Sequence, residues 1–95
     1  MSWYRSREAE LTIHWSTENE LDIVGFNLYR SDAANGEYVK LNDRPIPAAA
    51  DPLLGSEYSY IDANVIPGRT YYYILEIIDR NGQIRRRDPI TITAE

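Results

Sequence analysis

Val65-Ile66-Pro67-Gly68-Arg69-Thr70-Tyr71-Tyr72-Tyr73-Ile74-Leu75-Glu76-Ile77-Ile78 is the stretch that decides the fold. A Pro-Gly corner runs straight into a block of aromatic and branched apolar side chains. Proline sets φ for the first central position of a turn, and glycine supplies the positive φ of the second. The run that follows is rich in β-formers and too long for a loop, so it reads as a well-packed strand entered from a tight corner. If Tyr71, Tyr73, Leu75 and Ile77 face the core, alternation turns Tyr72, Ile74 and Ile78 outward.

Outward from this segment, strand signals recur at short intervals. Leu11-Thr12-Ile13-His14-Trp15 alternates, with Leu11, Ile13 and Trp15 on one face. Gly25-Phe26-Asn27-Leu28-Tyr29-Arg30 places Phe26 and Leu28 inward. Glu37 to Leu41 follows an Asn35-Gly36 turn, and Tyr58 to Asp62 and Ile90 to Thr93 are further strands. Ala48-Ala49-Ala50 is hemmed in by Pro45, Pro47 and Pro52, so Pro45 to Gly55 reads as the longest loop, followed by the acidic Ser16 to Val24 segment. Short strands separated by Gly, Pro and Asn favour an all-β sandwich or barrel.

Asn81-Gly82 suits a two-residue type I′ turn. That turn pairs Arg80 with Gln83, Ile78 with Arg85 and Glu76 with Arg87. It also turns Arg86 and Asp88 inward, opposite Ile77 and Leu75. Burying those charges is costly. A bulge or an end of pairing is therefore expected near Asp88-Pro89, after which Ile90 and Ile92 face the core.

The 95 residues fit one domain. Folding a chain of this size buries roughly 65% of its unfolded surface, enough for one two-layer core without staples. Eight tyrosines, two tryptophans and a phenylalanine can fill that core, and the absence of cysteine removes disulfides and thiolate chemistry. A net charge of −5 argues against nucleic-acid binding. No apolar run approaches the ~20 residues of a membrane helix, and Met1-Ser2-Trp3-Tyr4-Arg5 lacks the apolar centre of a signal peptide.

With these pieces placed, the chain resembles a fibronectin type III domain, a seven-stranded relative of the immunoglobulin sandwich. The resemblance covers Glu10 to Ala94. Trp15 matches the core tryptophan of the second strand, and Phe26-Asn27-Leu28-Tyr29-Arg30 matches the aromatic-x-aliphatic pattern of the third. Val65, Pro67, Gly68 and Tyr71 match the tyrosine corner, whose hydroxyl bonds back to nearby backbone. The likeness is greatest to versions from large bacterial surface or secreted proteins. It implies an immunoglobulin-like, two-sheet antiparallel sandwich of about seven strands, residues 1–95 being one such domain cut from a larger protein. Few residues precede the second strand, so the first is expected to be short or irregular, with Trp3-Tyr4-Arg5 in its place. The tight Arg80-Asn81-Gly82 turn carries no Arg-Gly-Asp, so integrin-type adhesion does not carry over.

The resemblance implies a non-catalytic interaction or spacer module of a multidomain extracellular or cell-surface protein. Its partners would be neighbouring domains and another protein or a glycan, with the isolated domain a monomer and no cofactor. Two alternatives are an accessory module of a secreted glycan-active enzyme, with Tyr29 and Tyr72 stacked on sugar rings, and a self-association domain. The candidate interface comprises Tyr29, Tyr72, Ile74, Ile78, Arg85 and Arg87. Exposed aromatic patches mark contact sites, yet Tyr29 and Tyr72 can equally lean on each other and on arginine stems. Arg85-Arg86-Arg87, with Arg80, can meet an acidic polymer, or pair with Glu76 and Asp79 and blunt an edge strand. His14 is the one histidine and reads as a solvated strand position. Glu18, Glu20 and Asp22 lack the spacing of a calcium loop and read as a solvated acidic segment.

Overall fold

The computed structural model describes residues 10–17, 22–48 and 56–94. Within them run eight strands and no helix: β1 (Leu11–Ser16), β2 (Ile23–Ser31), β3 (Val39–Lys40), β4 (Ile46–Pro47), β5 (Glu57–Asp62), β6 (Thr70–Asp79), β7 (Ile84–Arg86) and β8 (Ile90–Thr93). β1 and β5 form one sheet. The other has the order β3-β2-β6-β7, with β4 also on β2 and β8 also on β6. Every pairing is antiparallel. This is the two-sheet, all-β arrangement that the strand spacing implies. Trp3-Tyr4-Arg5 lies outside the described residues.

The core is written by alternation. Phe26 and Leu28 of β2, Ile13 of β1, and Tyr71, Tyr73 and Ile77 of β6 are buried between the sheets, joined by Val65 and Ala94. Leu11, Trp15, Tyr60, Leu75 and Ile92 pack against them, each partly buried. Trp15 stacks on Tyr58 at 5.5 Å and 12° and meets Phe26 edge-on at 5.6 Å, geometries that favour aromatic pairs.

The opening segment forms a tyrosine corner. Arg69 N bonds to Ile66 O at 3.1 Å across Pro67-Gly68, and Gly68 has φ 85, the combination of a type II turn. The Tyr71 hydroxyl accepts the Ile66 N–H at 2.8 Å, closing the loop onto the strand that follows it. Gly68 N donates to Ala94 O at 2.8 Å, and Ala94 N to Arg69 O at 2.9 Å, which tethers the end of β8 to the corner.

Three expectations are corrected. The β6–β7 turn is not type I′, because no non-glycine residue has positive φ, Asn81 included. Instead Gly82 N bonds to Asp79 O at 3.0 Å and Asp79 N to Gln83 O at 2.9 Å, with Gly82 at φ 83. This is a three-residue loop, a type I turn closed by a glycine bulge. The Asp79 carboxylate selects it by accepting the N–H groups of Asn81 (2.9 Å) and Gln83 (2.8 Å). One extra loop residue slips the register by one, so Glu76 faces Arg86, Ile77 faces Arg85 and Ile78 faces Ile84. Arg86 therefore lies on the outer face, not the inner one.

The second correction concerns Pro45 to Gly55, whose first part is not all loop. β4 pairs with Gly25 and Phe26 of β2. A Cβ on Gly25 would come within 2.9 Å of Ile46 O, so glycine admits this close crossing. The third concerns Ile90. Pairing does break between Arg86 and Ile90, and the register shifts by one, with Tyr73 opposite Ile90 and Tyr71 opposite Ile92. Ile92 reaches the core, but Ile90, the first residue of β8 after the break in pairing, stays 47% exposed.

Candidate interaction surface

The outer face of the larger sheet carries the side chains that the core does not use. Register puts Tyr29 opposite Ile74, Ser31 opposite Tyr72, and Gly25 opposite Ile78. Tyr29, Tyr72, Ile74 and Ile78 are thus brought onto one face, each half-buried. Ile84 extends the row beside Ile78 and is 56% exposed. Arg85 and Arg87 are exposed but do not share this face. Arg85 lies opposite the inward Ile77, and Arg87 N donates to Leu75 O at 3.0 Å.

At the centre of the face lies a buried carboxylate. Glu76 is 3% exposed. Its Oε1 accepts from Asn27 Nδ2 at 2.9 Å and from the Tyr29 hydroxyl at 3.2 Å, and its Oε2 accepts from Arg86 Nε at 2.9 Å. Asn42 extends the chain, donating to Asn27 Oδ1 at 2.9 Å and accepting the Leu28 N–H at 2.8 Å. Burial alone raises the Glu76 pKa, but the hydrogen bonds from Asn27, Arg86 and Tyr29 outweigh it and hold the group below the ordinary glutamate value. The Arg86 guanidinium also lies 5.1 Å from the Tyr29 ring centre, within cation–π range. One side of that ring is therefore already covered.

A second polar cluster joins the two sheets. Asp62 of β5, 3% exposed, accepts from Arg30 Nη1 at 2.9 and 3.0 Å and from the Tyr73 hydroxyl at 2.8 Å. Burial, then the hydrogen bond to Asp62, raises the Tyr73 pKa well above the usual phenol value, so the hydroxyl remains a donor. Arg30 sits 5.3 Å from the Tyr71 ring centre, linking this staple to the corner.

Sequence reading missed Asn27, Asn42 and Asp62, because alternation assigns polar residues to solvent and does not show which of them meet. Asp79 caps its turn and forms no ion pair among the described residues. His14 is exposed opposite Ser59 on the smaller sheet. Asp22 is exposed, while Glu18 and Glu20 lie outside the described residues. No helix among the described residues is long and apolar enough to cross a membrane.

No family model matches the chain. It is similar to an amylopullulanase of Thermoanaerobacter thermohydrosulfuricus, with 29% identity over 72 residues that make up 75% of the chain and 4% of that enzyme. The likeness thus joins most of this β-sandwich to a small part of a large glycan-active enzyme.

Proposed function

We propose that the chain is a fibronectin type III-like, non-catalytic module of a large extracellular, glycan-active protein, acting as a spacer that holds neighbouring domains apart. The observation that carries this reading is the similarity to 4% of an amylopullulanase, a share too small for a whole enzyme of that size. The tyrosine corner, with Tyr71 bonded to Ile66 N at 2.8 Å, supports the family reading. A spacer is favoured over a sugar-stacking surface because Tyr29, which would supply one platform, has its hydroxyl bonded to Glu76 and its ring against Arg86. Affinity electrophoresis of the domain through gels containing pullulan or amylose, with a reducing-sugar assay alongside, tests the proposal. Unretarded migration and no released sugar are expected. Retardation abolished by Tyr72→Ala would replace the spacer with a glycan-binding module, and sugar release would refute both.

A further inference from the structure

The chain holds two Asn-Gly dipeptides, Asn35-Gly36 between β2 and β3 and Asn81-Gly82 between β6 and β7. All four residues are exposed. Asparagine followed by glycine readily loses its side-chain amide, because no Cβ shields the glycine nitrogen that attacks the neighbouring carbonyl. That attack needs a free glycine N–H and room for the backbone to rotate. In both turns the N–H is engaged: Gly36 N donates to Ala33 O at 2.9 Å and Gly82 N to Asp79 O at 3.0 Å. Reaction at either place therefore runs through a local opening.

What holds the two turns shut differs. A Cβ on Gly36 would come within 2.8 Å of Ser31 Oγ and 3.2 Å of Ala33 Cβ. Ser31 is itself 3% exposed, and its hydroxyl bonds both Ala33 O (2.8 Å) and Ala33 N (3.2 Å). The Tyr38 hydroxyl adds a bond to Ala34 O at 3.1 Å. The Asn35-Gly36 turn is thus packed on a buried side chain. At Gly82, by contrast, nothing among the described residues lies within 4 Å of the place a Cβ would take. Asp79 closes that turn, through its backbone bonds with Gly82 and Gln83 and its carboxylate bonds to the N–H groups of Asn81 and Gln83. These bonds lie at an exposed hairpin tip, where opening costs least.

We propose that Asn81 is a site of spontaneous deamidation, gated by the Asp79 cap, and that its isoaspartate product releases the β6–β7 register. When the tip opens, the Gly82 nitrogen gives its proton to water and attacks the Asn81 side-chain carbonyl carbon. A new N–C bond forms, the bond to the amide nitrogen breaks and ammonia leaves, closing a succinimide ring. Water then opens the ring at either carbonyl, giving aspartate or isoaspartate with no change of oxidation state. Isoaspartate routes the chain through its own side chain, which adds a methylene to the backbone of a loop whose length sets the register. Both products place a carboxylate near that of Asp79, a like-charge pair that disfavours the closed turn. Arg86 meets Glu76 in the three-residue register, so the modification reaches the buried carboxylate of the outer face.

The test ages the full chain at mildly alkaline pH and follows it by tryptic mapping. Cleavage after Arg80 and Arg85 isolates Asn81 to Arg85, and cleavage after Arg30 and Lys40 isolates Ser31 to Lys40. Mass and chromatographic separation of the aspartate and isoaspartate forms then read each site by itself. In the folded chain Asn81 should convert several times faster than Asn35, and in urea the two rates should converge. Asp79→Ala should speed Asn81 alone by about fivefold or more, the effect of losing a hydrogen bond that keeps the turn closed. Asp79→Asn, which keeps an acceptor oxygen, should stay near the wild-type rate. In amide NMR spectra of the isolated isoaspartate form, shifts should reach Glu76 and Arg86. The proposal is overturned if Asn35 reacts as fast as Asn81 in the folded chain, or if the difference between them persists in urea. It is equally overturned if Asn81 is intact when the unfolded chain has fully converted, or if Asp79→Ala leaves its rate unaltered or speeds both sites alike. An isoaspartate form with unshifted Glu76 and Arg86 amides would refute the release of the register.

Discussion

Replacing Glu76 by Gln probes the polar chain across the larger sheet with little change in shape. The side chain is 4% exposed and accepts three hydrogen bonds. Glutamine can keep an oxygen toward Asn27 and Tyr29, but its amide nitrogen then faces Arg86 Nε, donor against donor. A hydrogen bond to a charged group contributes ~1.5–3 kcal/mol. Because Arg86 is 59% exposed, solvent screening reduces that value. The expected loss is about 1–2 kcal/mol at neutral pH. The pH dependence follows from the depressed pKa of Glu76. A carboxylate whose folded pKa lies below its unfolded value stabilises the protein fully above the unfolded value. That stability is lost as pH falls through the folded one. The wild-type chain should therefore lose stability as pH drops below 4.5, the ordinary value for this group, and the variant should lose less. Urea unfolding at neutral pH and at several acid pH values measures both curves, which should converge in acid. A constant gap at every pH, or none at neutral pH, would refute the charge-based account of the network.

Tyr71→Phe removes the bond to Ile66 N and should cost about 1 kcal/mol by urea unfolding, with the strands retained. Trp15→Ala should cost about 3 kcal/mol, the lower end for a large aromatic because Trp15 is only partly buried. Tyr73 should be the last of the tyrosines to ionise in a spectrophotometric alkaline titration. Its raised pKa contributes stability below pH 10.0 that is lost as pH rises beyond, and Tyr73→Phe should remove that dependence. At the β6–β7 turn, Gly82→Ala should cost about 1 kcal/mol because of its positive φ, whereas Asn81→Ala should be nearly neutral. Equal losses at both positions would instead indicate a type I′ turn.

How far the sequence could be read depended on whether a feature is periodic or paired. The inward rows Phe26–Leu28 and Tyr71–Tyr73 were legible because alternation alone assigns them. The corner was legible because Pro67 and Gly68 each have one conformational reason to be there. The Asp62 staple and the Asn42–Asn27–Glu76 chain were not, since each joins strands distant in sequence and neither partner announces the other. The six candidate residues divide along the same line. Tyr29, Tyr72, Ile74 and Ile78 share a face as alternation requires, but the placement of Arg85 and Arg87 depends on register.

That register turns on a single residue. Asn81-Gly82 alone favours a two-residue turn. With Asp79 included, Asp-Arg-Asn-Gly carries Asp at the first and Gly at the fourth position of a type I turn, and the aspartate oxygen bonds the N–H groups that select it. In the two-residue register Arg86 would have been driven toward Ile77, and Glu76 would have faced Arg87. In the register the chain adopts, Arg86 meets Glu76 and satisfies the buried carboxylate. Arg85 and Arg87 are then left on the side of the sheet where no carboxylate among the described residues pairs with them. The capping aspartate thus determines the register on which the outer network depends. Asp79→Ala, which removes the cap while leaving every arginine in place, should cost about 1 kcal/mol by urea unfolding and weaken the Arg86–Glu76 pair. A loss of stability with the Glu76–Arg86 register unchanged in amide NMR spectra would show that the register is held by the strands rather than by the turn.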